Sequence, residues 1–466
     1  MWQEEARFIT EKNVIEFKMV KGDFHSYKGR WVVVAEGDLV TVSLYVHLDW
    51  GSHNMSRFFG EIIEQKAERT FRSMVLALGR AALHKSLPYR RQLPRFGYIS
   101  NLLSQRLTSN GYSDEDMDKK RPELFEGTLK WFPPFRRGIV TGVRSPLGSE
   151  VEGDMILINL LPKQMLTLNS EFVLARLVEA GRMAERFGDK ILGLGSYVGN
   201  VGRKGVFLSK QVRIPITTGS SYTVAVVIEA LHKASESVGL NLSNVTITII
   251  GATGTIGCIC AHLIARSVKK IILVARNKER LDELAGHLTE RYGTMITSSV
   301  DLDDAIARGD IIISATNTPT RLINLLKVKR GAIIYDVSQP PNVSEKETRL
   351  RSDVLVLDGG VVQPPGPVDF HFSFGLAPGL AYACIAEVMI LALEARYESF
   401  SLGGDIQLNK VKEIAQLGRK HGFKLAGLRS FGKEVSQLQL EQIRQALTDQ
   451  HRGKKLTLAV TRREIV

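Results

Sequence analysis

Cysteine is scarce in this chain, with only Cys258, Cys260 and Cys384 among 466 residues. Three thiols cannot build a disulfide framework, and their spacing fits no zinc motif, so we predict neither a disulfide-rich fold nor a metal site. The N-terminus, MWQEEARFITEKNVIEF, carries charges where a secretion signal needs an apolar run. We therefore expect a cytoplasmic protein.

Long uninterrupted apolar segments are also lacking. Residues 237–265 contain no Asp, Glu, Lys or Arg, and a segment of that length could cross a bilayer. However, Gly251, Gly254 and Gly257 interrupt it, together with many Ser, Thr and Asn residues. The pattern instead predicts a loop, a buried strand, a glycine turn and a helix, and no transmembrane helix.

Acidic residues are too few to balance the basic ones. The chain has 49 Asp and Glu against 62 Lys and Arg, a formal net charge of +13 and a pI near 9.5. This surplus predicts an acidic partner, which leaves nucleic acid, anionic lipid, a phosphorylated cofactor or an acidic protein open. The sequence has no helix-turn-helix, zinc or aromatic-basic pattern, so we do not expect nucleic acid to be that partner.

The first 95 residues predict a small α+β region that ends in a basic linker. The segment WVVVAEGDLVTVSLYVHLDW alternates apolar and polar residues on both sides of the turn Glu36-Gly37-Asp38, which indicates a hairpin. The following segment, Met55–Ala82, has the periodicity of one long amphipathic helix. We expect the rest of the chain to form a different fold.

Residues 241–372 predict a Rossmann domain. Six short apolar runs, VTITII, IILVAR, MITSSV, DIIISAT, AIIYDVS and DVLVLDG, alternate with helical or loop segments. Such strands form a parallel sheet covered on both faces. We therefore predict an α/β protein in which a doubly wound parallel sheet is inserted in a mixed α/β substrate domain. The substrate domain would consist of residues 96–240 and a helical remainder over 373–466. We expect glycine-containing loops at 193–196 and 217–221.

A glycine-rich turn, GATGTIG, follows the first of these strands and begins a helix. Glycines in this context let the backbone approach a pyrophosphate, whose charge then lies at the helix N-terminus. The spacing is GxxGxxG, a variant of the usual dinucleotide motif. The predicted cofactor-binding residues of this turn are Gly251, Thr253, Gly254, Thr255, Ile256 and Gly257.

The end of the second strand favours NADPH over NADH. An NAD site usually has an acidic residue there, whereas this chain has Arg276, and a guanidinium suits a 2′-phosphate. Asn277 and Arg280 are predicted to lie beside it. Ligands of doubly wound sheets bind at the carboxyl ends of strands. The loops after the fourth and sixth strands are therefore candidates for the nicotinamide end, through Ser314, Ala315, Thr316, Gly359 and Gly360.

From Leu161 to Ala426 the chain resembles the long-chain acyl-acyl-carrier-protein reductases of cyanobacteria. The resembling segments, in order, are LPKQMLTLNSEFVLARLVEAGRMAERFG, TTGSSYT, GATGTIG, LVARNKERLDELAG, LDGGVV, ACIAEVMILALE and KVKEIAQLGRKHGFKLA. Members of this family reduce fatty acyl thioesters to fatty aldehydes with NADPH. The resemblance therefore implies that reaction here, with acyl carrier protein or coenzyme A as the thioester carrier.

The resemblance also assigns residues. By composition alone Cys384 is a small packing residue on an apolar helix, but in the family the cysteine of A-C-x-A-E is the acyl-accepting nucleophile. We expect Pro378 in the first turn of this helix, which would place Cys384 about two turns in. His421, in the family-like RKHGF, is the predicted catalytic acid or base, with His371 as an alternative. The predicted contacts to the thioester oxygen or a phosphate are Thr218, Gly219, Ser220 and Ser221.

Other functions stay open on the sequence alone. A different two-domain NADPH oxidoreductase, of the shikimate dehydrogenase or glutamyl-tRNA reductase type, has the same general organisation. The N-terminal region resembles half of a START-like lipid-binding domain, so a non-enzymatic lipid-binding protein is a further alternative. Peripheral contact with a membrane, where a fatty aldehyde would partition, is also open.

Overall fold

A computed structural model gives the fold. It describes residues 3–9, 14–21, 26–36, 39–49, 93–101, 130, 133–316, 318, 321–338, 341–372, 374–404 and 407–449. The chain divides into two compact units, Met1–Gln92 and Leu93–Val466. The division of the second unit into three segments, at 240 and 372, stays a prediction.

The first unit contains an antiparallel sheet with the strand order β1-β2-β3-β4. The predicted hairpin is present, because Glu36 at the end of β3 pairs with Leu39 at the start of β4. The helix predicted over Met55–Ala82 lies outside the described residues, and the START-like resemblance stays a prediction. The strands are β1 (Gln3–Ile9), β2 (Val14–Lys21), β3 (Ser26–Glu36) and β4 (Leu39–Asp49).

The second unit begins with a five-stranded mixed sheet of order β6-β7-β5-β8-β9, in which only β6 is antiparallel to its neighbour. Its strands are β5 (Arg95–Asn101), β6 (Phe135–Arg144), β7 (Glu150–Ile158), β8 (Ile191–Leu194) and β9 (Ile216–Thr217). The helices of this part are α1 (Pro162–Thr167), α2 (Ser170–Phe187), α3 (Val206–Ser209) and α4 (Ser220–Val238). Asn169 caps α2 by accepting from the amide of Glu171 at 2.8 Å.

A parallel six-stranded sheet of order β12-β11-β10-β13-β14-β15 follows, which confirms the predicted Rossmann fold. Its strands are β10 (Thr246–Ile250), β11 (Lys270–Val274), β12 (Met295–Ser299), β13 (Ile311–Ser314), β14 (Ile333–Asp336) and β15 (Leu355–Asp358). Its helices are α5 (Thr255–Ile264), α6 (Lys278–Tyr292), α7 (Leu302–Arg308) and α8 (Glu345–Thr348). Every residue of β13 and β14 is buried, as expected for strands covered on both faces.

The remaining elements complete the second unit. They are β16 (Val361–Gln363), β17 (Ala381–Tyr382), α9 (Ala383–Leu393), α10 (Leu408–His421), β18 (Lys424–Leu425), β19 (Arg429–Ser430), β20 (Lys433–Glu434) and a helix α11 over 437–449. Helix α4 packs against α5 of the Rossmann part and against α9 and α10 of the other part. Its N-terminus therefore lies at the junction of the two. None of the described helices is long and apolar enough to cross a membrane.

Candidate active site

The glycine turn has the geometry of a dinucleotide-binding turn. Gly251 has a φ of +79°, and an added Cβ there would lie 2.6 Å from the carbonyl oxygen of Ala315. A Cβ on Gly257 would lie 2.4 Å from the carbonyl oxygen of Gly251. The turn therefore needs glycine at both positions, and it directs the chain into α5, whose N-cap is Gly254. The residues present thus fit a pyrophosphate placed at this helix N-terminus.

Arg276 lies where a 2′-phosphate would be expected. It follows β11, lines the cavity described below, is exposed, and makes no hydrogen bond or ion pair with any described residue. Asn277 is the N-cap of α6 and accepts from the Arg280 amide at 2.8 Å, so its side chain has a structural role. Lys278 contacts Asp282 and Ser298. Of the basic residues in this segment, Arg276 is therefore the one oriented toward the cavity.

The loops after β13 and β15 also reach the cavity. Ala315, Thr316, Gly359 and Gly360, the residues expected near the nicotinamide end, line it. Ser314 is fully buried, and its side chain contacts Ser338 and Asn342 within the sheet edge instead. The four loop residues are thus brought together with the glycine turn, whereas Ser314 supports them from behind.

The helix that carries Cys384 begins later than predicted. Helix α9 begins at Ala383, because Ala381 and Tyr382 pair with β16 and Gly379 has a φ of +77°. Cys384 is therefore the second residue of α9 rather than two turns in. The Ile385 amide, in the first turn of α9, opposes the rise that burial causes in the pKa of Cys384. The helix N-terminus thus stabilises negative charge on this sulfur, which the sequence prediction underrated.

Gly219 brings a second helix N-terminus against the cysteine. It is the N-cap of α4, has a φ of +73°, and an added Cβ would lie 2.3 Å from the Cα atom of Cys384. Thr218 donates to the carbonyl oxygen of Ser401 at 2.7 Å and lies 2.9 Å from the Ser220 hydroxyl. Because Thr218 uses its proton there, Ser220 is the donor in that pair. Both side chains line the cavity.

Ser221 is not part of the cavity lining. It is fully buried, and its hydroxyl accepts from the Ser401 hydroxyl at 2.7 Å. Its amide donates to the Ser401 hydroxyl oxygen at 3.1 Å. This predicted substrate residue therefore holds the N-terminus of α4 in place.

Glu387 joins the two helices beneath Cys384. Its carboxylate is fully buried, accepts from the Tyr222 amide at 2.7 Å, and also accepts from the Thr217 hydroxyl. Burial raises the pKa of this carboxyl group, while the hydrogen bonds oppose that shift. Glu387 thus fixes the start of α4 relative to α9, and so sets the position of the thiol.

Tyr98 is the polar side chain nearest to the thiol. Its hydroxyl lies 3.0 Å from Cys384 Sγ, and its ring fits over Gly193 and Gly195, where an added Cβ would collide with it. Burial raises the pKa of Cys384, although the Tyr98 hydrogen bond opposes this shift, and burial raises the pKa of Tyr98 well above its usual value. The resting pair is therefore a protonated tyrosine beside a protonated thiol, and Tyr98 acts as a donor rather than a base.

Neither predicted histidine is brought to the cysteine. His421 is buried and contacts the Ser145 hydroxyl at 3.0 Å and Glu394 Oε2 at 2.6 Å, away from the cavity lining. His371 is exposed, contacts Thr141, and also does not line the cavity. The catalytic role predicted for His421 therefore receives no support from this geometry.

Lys204 approaches the glycine turn from the substrate side. Residues 202–205 all have positive φ values, which is uncommon for the non-glycine residues Arg203 and Lys204. The Lys204 ammonium donates to the Thr255 hydroxyl, at the first residue of α5. Backbone strain of this kind often marks a functional site, and here it directs a cation toward the expected pyrophosphate position.

These groups surround a cavity of about 920 Å³ that is built entirely from the second unit. At one end lie Gly251, Gly254, Thr255 and Arg276, with Thr253 and Ile256 beside them. Cys384 lies within it, and an apolar region is formed by Met155, Leu157, Leu166, Phe372, Phe374 and Tyr382. The cavity can therefore hold a dinucleotide and an apolar substrate next to one thiol.

The sequence reasoning missed Tyr98, Lys204 and Glu387. A usable signal existed only for Glu387, the one charged residue within the apolar helix sequence ACIAEVMILAL. Tyr98 lies in an ordinary buried strand, and its contact with Cys384 spans 286 residues of sequence. No local pattern predicts a contact of that range.

Comparison with known proteins finds several relatives of this chain. The family model for shikimate/quinate 5-dehydrogenase matches residues 232–358. The chain is 28% identical to the aminotransferase PigE of a Serratia species over 73% of this chain and 41% of that protein. It is 27% identical to the long-chain acyl-[acyl-carrier-protein] reductase of Synechococcus elongatus, over 60% of this chain and 84% of that one.

A third relative is the glutamyl-tRNA reductase of Actinobacillus succinogenes, which is 28% identical over 40% of this chain and 46% of that protein. The matched regions thus cover less than half of PigE and of this reductase. The resemblance to long-chain acyl-acyl-carrier-protein reductases that the motifs predicted is confirmed, and residues 232–358 are similar to the shikimate/quinate 5-dehydrogenase family.

Proposed function

We propose that this protein reduces a long-chain fatty acyl thioester to the fatty aldehyde with NADPH, through an acyl-enzyme on Cys384. The observation that carries this proposal is that Cys384 lines the same cavity as a dinucleotide-type glycine turn and a set of apolar side chains. A nucleophilic thiol beside a hydride donor and an alkyl-sized space is the arrangement that such a reaction needs.

NADPH would be held by the glycine turn, by Arg276 at the 2′-phosphate and by the loops at Ala315 and Gly359. The Lys204 ammonium would contact the pyrophosphate, since it already lies on Thr255 at the start of α5. When bound, the cofactor supplies a hydride to the thioester carbonyl carbon. The similarity to an acyl-carrier-protein reductase and to a glutamyl-tRNA reductase supports a cofactor of this class.

In the acylation step, Cys384 Sγ attacks the carbonyl carbon and the bond from that carbon to the carrier sulfur breaks. The proton of Cys384 leaves with the carrier, which departs as a free thiol. The two thioesters are similar in energy, so the protein contributes mainly position and charge stabilisation. The Tyr98 hydroxyl, which is hydrogen-bonded to Sγ, and the Ile385 amide at the start of α9 both favour the thiolate that attacks.

In the reduction step, the carbonyl carbon gains a hydride and its oxygen becomes the oxyanion of a hemithioacetal. The Ser220 hydroxyl, at the start of α4, lies in the cavity and is a candidate donor to this oxygen once it turns away from Thr218. Collapse of the hemithioacetal breaks the bond from carbon to Sγ and releases the aldehyde. The sulfur leaves as a thiolate and takes up one proton from solvent, so the cycle consumes one NADPH and one proton.

The apolar lining favours an alkyl chain over a small polar substrate. Met155 and Leu157 line the cavity and would contact the alkyl chain. The rings of Phe372, Phe374 and Tyr382 form a continuous aromatic surface, with ring centroids 5.6 and 6.0 Å apart, that is left for the rest of the thioester. Leu166 lines the same cavity although its side chain is largely exposed. The shikimate/quinate dehydrogenase match covers only residues 232–358 and therefore bears on the nucleotide half, not on the substrate.

Carrier identity and cellular location follow from the same proposal. Acyl carrier protein or coenzyme A would deliver the substrate, and the net charge of +13 favours such acidic partners. A cytoplasmic enzyme with peripheral membrane contact would suit an aldehyde that partitions into lipid. The first unit would present or dock the acyl chain.

The test is product analysis with the full chain. Purified protein, NADPH and either palmitoyl-coenzyme A or palmitoyl-acyl carrier protein should yield hexadecanal, detected by mass spectrometry. Cys384→Ser should lower the rate by about 100-fold or more, because a hydroxyl is a far weaker nucleophile than a thiolate. The matched control is Cys258→Ser, since Cys258 does not line the cavity.

Each outcome decides between the alternatives. Aldehyde formation that survives in Cys384→Ser would refute the acyl-enzyme. Oxidation of NADPH with small polar carbonyl compounds, and none with thioesters, would favour a reductase of the shikimate dehydrogenase type. Binding of fatty acid without any change in NADPH fluorescence would favour the non-enzymatic lipid-binding alternative.

A further inference from the structure

Arg137, on β6, is a half-buried cation in the cavity wall without an anionic partner. It lines the same cavity as Cys384, and no carboxylate of the described residues lies within ion-pair distance of it. Two other arginines of the same sheet are paired with a carboxylate. Arg95 and Arg136 each lie 2.5 Å from an oxygen of the buried Asp154. Arg137 is therefore held in the wall by something other than a carboxylate.

An aromatic ring holds the Arg137 side chain. Its guanidinium carbon lies 5.4 Å from the centroid of the Phe372 ring, which is a cation–π contact. Gly138 permits this approach, because an added Cβ there would lie 2.9 Å from the Phe372 ring. A guanidinium stacked on one face keeps its N–H groups directed outward in its own plane, where they can meet a planar or tetrahedral anion.

A row of aromatic rings connects Arg137 with the start of the helix that carries the thiol. From Arg137 the rings of Phe372, Phe374 and Tyr382 follow one another, and Tyr382 precedes Cys384 by two residues. Arg276 and the glycine turn mark the nucleotide part of the cavity and come from the Rossmann strands instead. The anion that Arg137 would meet therefore belongs to the substrate and lies several bonds from its reacting carbonyl.

Burial without a counter-charge makes this guanidinium a ready anion site. Desolvation lowers the pKa of Arg137, whereas Arg95, which is also largely desolvated, has a raised pKa because Asp154 and Glu152 compensate its charge. An arriving anion would supply the compensation that Arg137 lacks. A phosphate group can accept two parallel, charge-assisted hydrogen bonds from a guanidinium.

On the basis of the proposed function, we infer that Arg137 binds the phosphate of the phosphopantetheine arm that carries the acyl thioester. This arm ends in the thioester sulfur and has its phosphate at the far end of a long flexible chain. With the thioester at Cys384, the arm would pass along the Phe374 and Phe372 rings and reach Arg137. Coenzyme A and acyl carrier protein share this arm, so Arg137 would recognise both.

The experiment compares thioesters with and without the phosphate. The substrates are palmitoyl-coenzyme A, palmitoyl-acyl carrier protein and palmitoyl-N-acetylcysteamine, which keeps the thioester and lacks the phosphate. Arg137→Ala should lower kcat/KM for both phosphate-bearing substrates by about 10- to 100-fold, since it removes charge-assisted hydrogen bonds. It should leave kcat/KM for the N-acetylcysteamine thioester within about twofold of the wild-type value.

Two further variants and one titration test whether the loss comes from the charge of Arg137 and from the substrate phosphate. Arg137→Lys keeps the charge and should recover part of the loss. Arg144→Ala removes an exposed arginine of the same strand, which pairs with Glu150, and should change none of the three substrates. The Kd of NADPH, measured by its fluorescence, should be unchanged in Arg137→Ala.

An equal loss for all three substrates, or a weaker Kd for NADPH, would overturn the assignment of Arg137 to the substrate phosphate. A loss with the coenzyme A substrate alone would instead assign it to the adenosine phosphates of that molecule. Failure of the wild-type protein to form aldehyde from any of the three would overturn the proposed function and this inference with it.

Discussion

The thiol of Cys384 and the hydroxyl of Tyr98 form a pair in which neither partner ionises readily. Burial raises the pKa of both groups, and the hydrogen bond between them is one interaction that favours the thiolate. A nucleophile in an apolar cavity therefore depends on one donor and on the first-turn amides of α9. Removal of the Tyr98 hydroxyl should therefore change the pKa of Cys384 by a measurable amount.

Tyr98→Phe should slow acyl transfer. Removal of the hydroxyl takes away a hydrogen bond that lowers the pKa of Cys384, so that pKa should rise further. The alkaline midpoint of the pH–rate profile for acylation should then move to higher pH, and the rate at pH 7 should fall by about tenfold or more. Single-turnover release of the carrier thiol measures it, and an unchanged midpoint would contradict the assigned role.

Arg276→Ala should reduce the discrimination between the two nicotinamide cofactors. The guanidinium is exposed and unengaged within the described part of the chain, so its loss should not disturb the fold. We expect the KM for NADPH to rise by about 10- to 100-fold, while the KM for NADH changes little, because only NADPH carries the 2′-phosphate. Equal changes for both cofactors would show that Arg276 does not contact that phosphate.

At the scale of elements, the site depends on the close approach of two helix N-termini. Gly219 ends the loop before α4 and lies against the backbone of Cys384, while Glu387 of α9 binds the Tyr222 amide of α4. Each helix thus positions the other. The glycines at the two ends of α4 offer a direct test, because both have a φ of +73°.

Gly219→Ala should abolish most of the activity, whereas Gly239→Ala should not. Both variants place alanine at a positive φ, which costs about 1 kcal/mol of stability. Only the first places a methyl group 2.3 Å from Cys384 Cα, since nothing lies within 4 Å of a Cβ at Gly239. Thermal unfolding and aldehyde formation measured on both variants separate backbone strain from displacement of the thiol.

Local patterns predicted the elements of the nucleotide half well. The six apolar runs form six parallel strands, and the glycine turn follows the first of them. Both features depend on local sequence, namely on the spacing of apolar residues and on the residues of the turn. The start of α9 was misplaced at Pro378, since pairing of Ala381 with β16 is a tertiary interaction. Residues 193–194, expected in a loop, belong to β8, where Gly193 and Gly195 make room for Tyr98.

The catalytic partner could not be predicted for the same reason. His421 has the residue type expected of an acid or base, but Glu394 and Ser145 hold it in another part of the fold. Tyr98 and Arg137 come from strands that meet Cys384 only through the packing of the second unit. Residue type and motif context carry no information about contacts of that range.

The stability of the whole second unit should depend on a buried carboxyl pair far from the chemistry. Asp154 and Asp189 are both buried, and Arg95 and Arg136 pair with Asp154. Burial and the charge of Asp154 raise the pKa of Asp189 to about 8. Asp189 thus keeps its proton in the folded protein at neutral pH, while the unfolded chain loses it near pH 4.

Asp189→Asn should therefore stabilise the protein more at pH 8 than at pH 5. Between about pH 4 and pH 8 the folded state binds more protons than the unfolded state, so the free energy of unfolding falls as pH rises. The asparagine amide does not ionise in this range. The Tm of the variant should therefore exceed that of wild type by several degrees at pH 8 and by less at pH 5. Glu441→Gln, at an exposed position, is the control, and a Tm difference independent of pH would contradict the assignment.

The protonated resting state of Cys384 also bears on how this thiol responds to oxidants. Peroxides and small alkylating agents react with thiolates, so a sulfur with a raised pKa, half-buried among aromatic rings, is a poor target for them. An electrophile with a long alkyl tail differs, because it can occupy the apolar region and place its reactive carbon beside Sγ. Chain length, rather than intrinsic reactivity, would then decide which covalent inhibitors reach this cysteine.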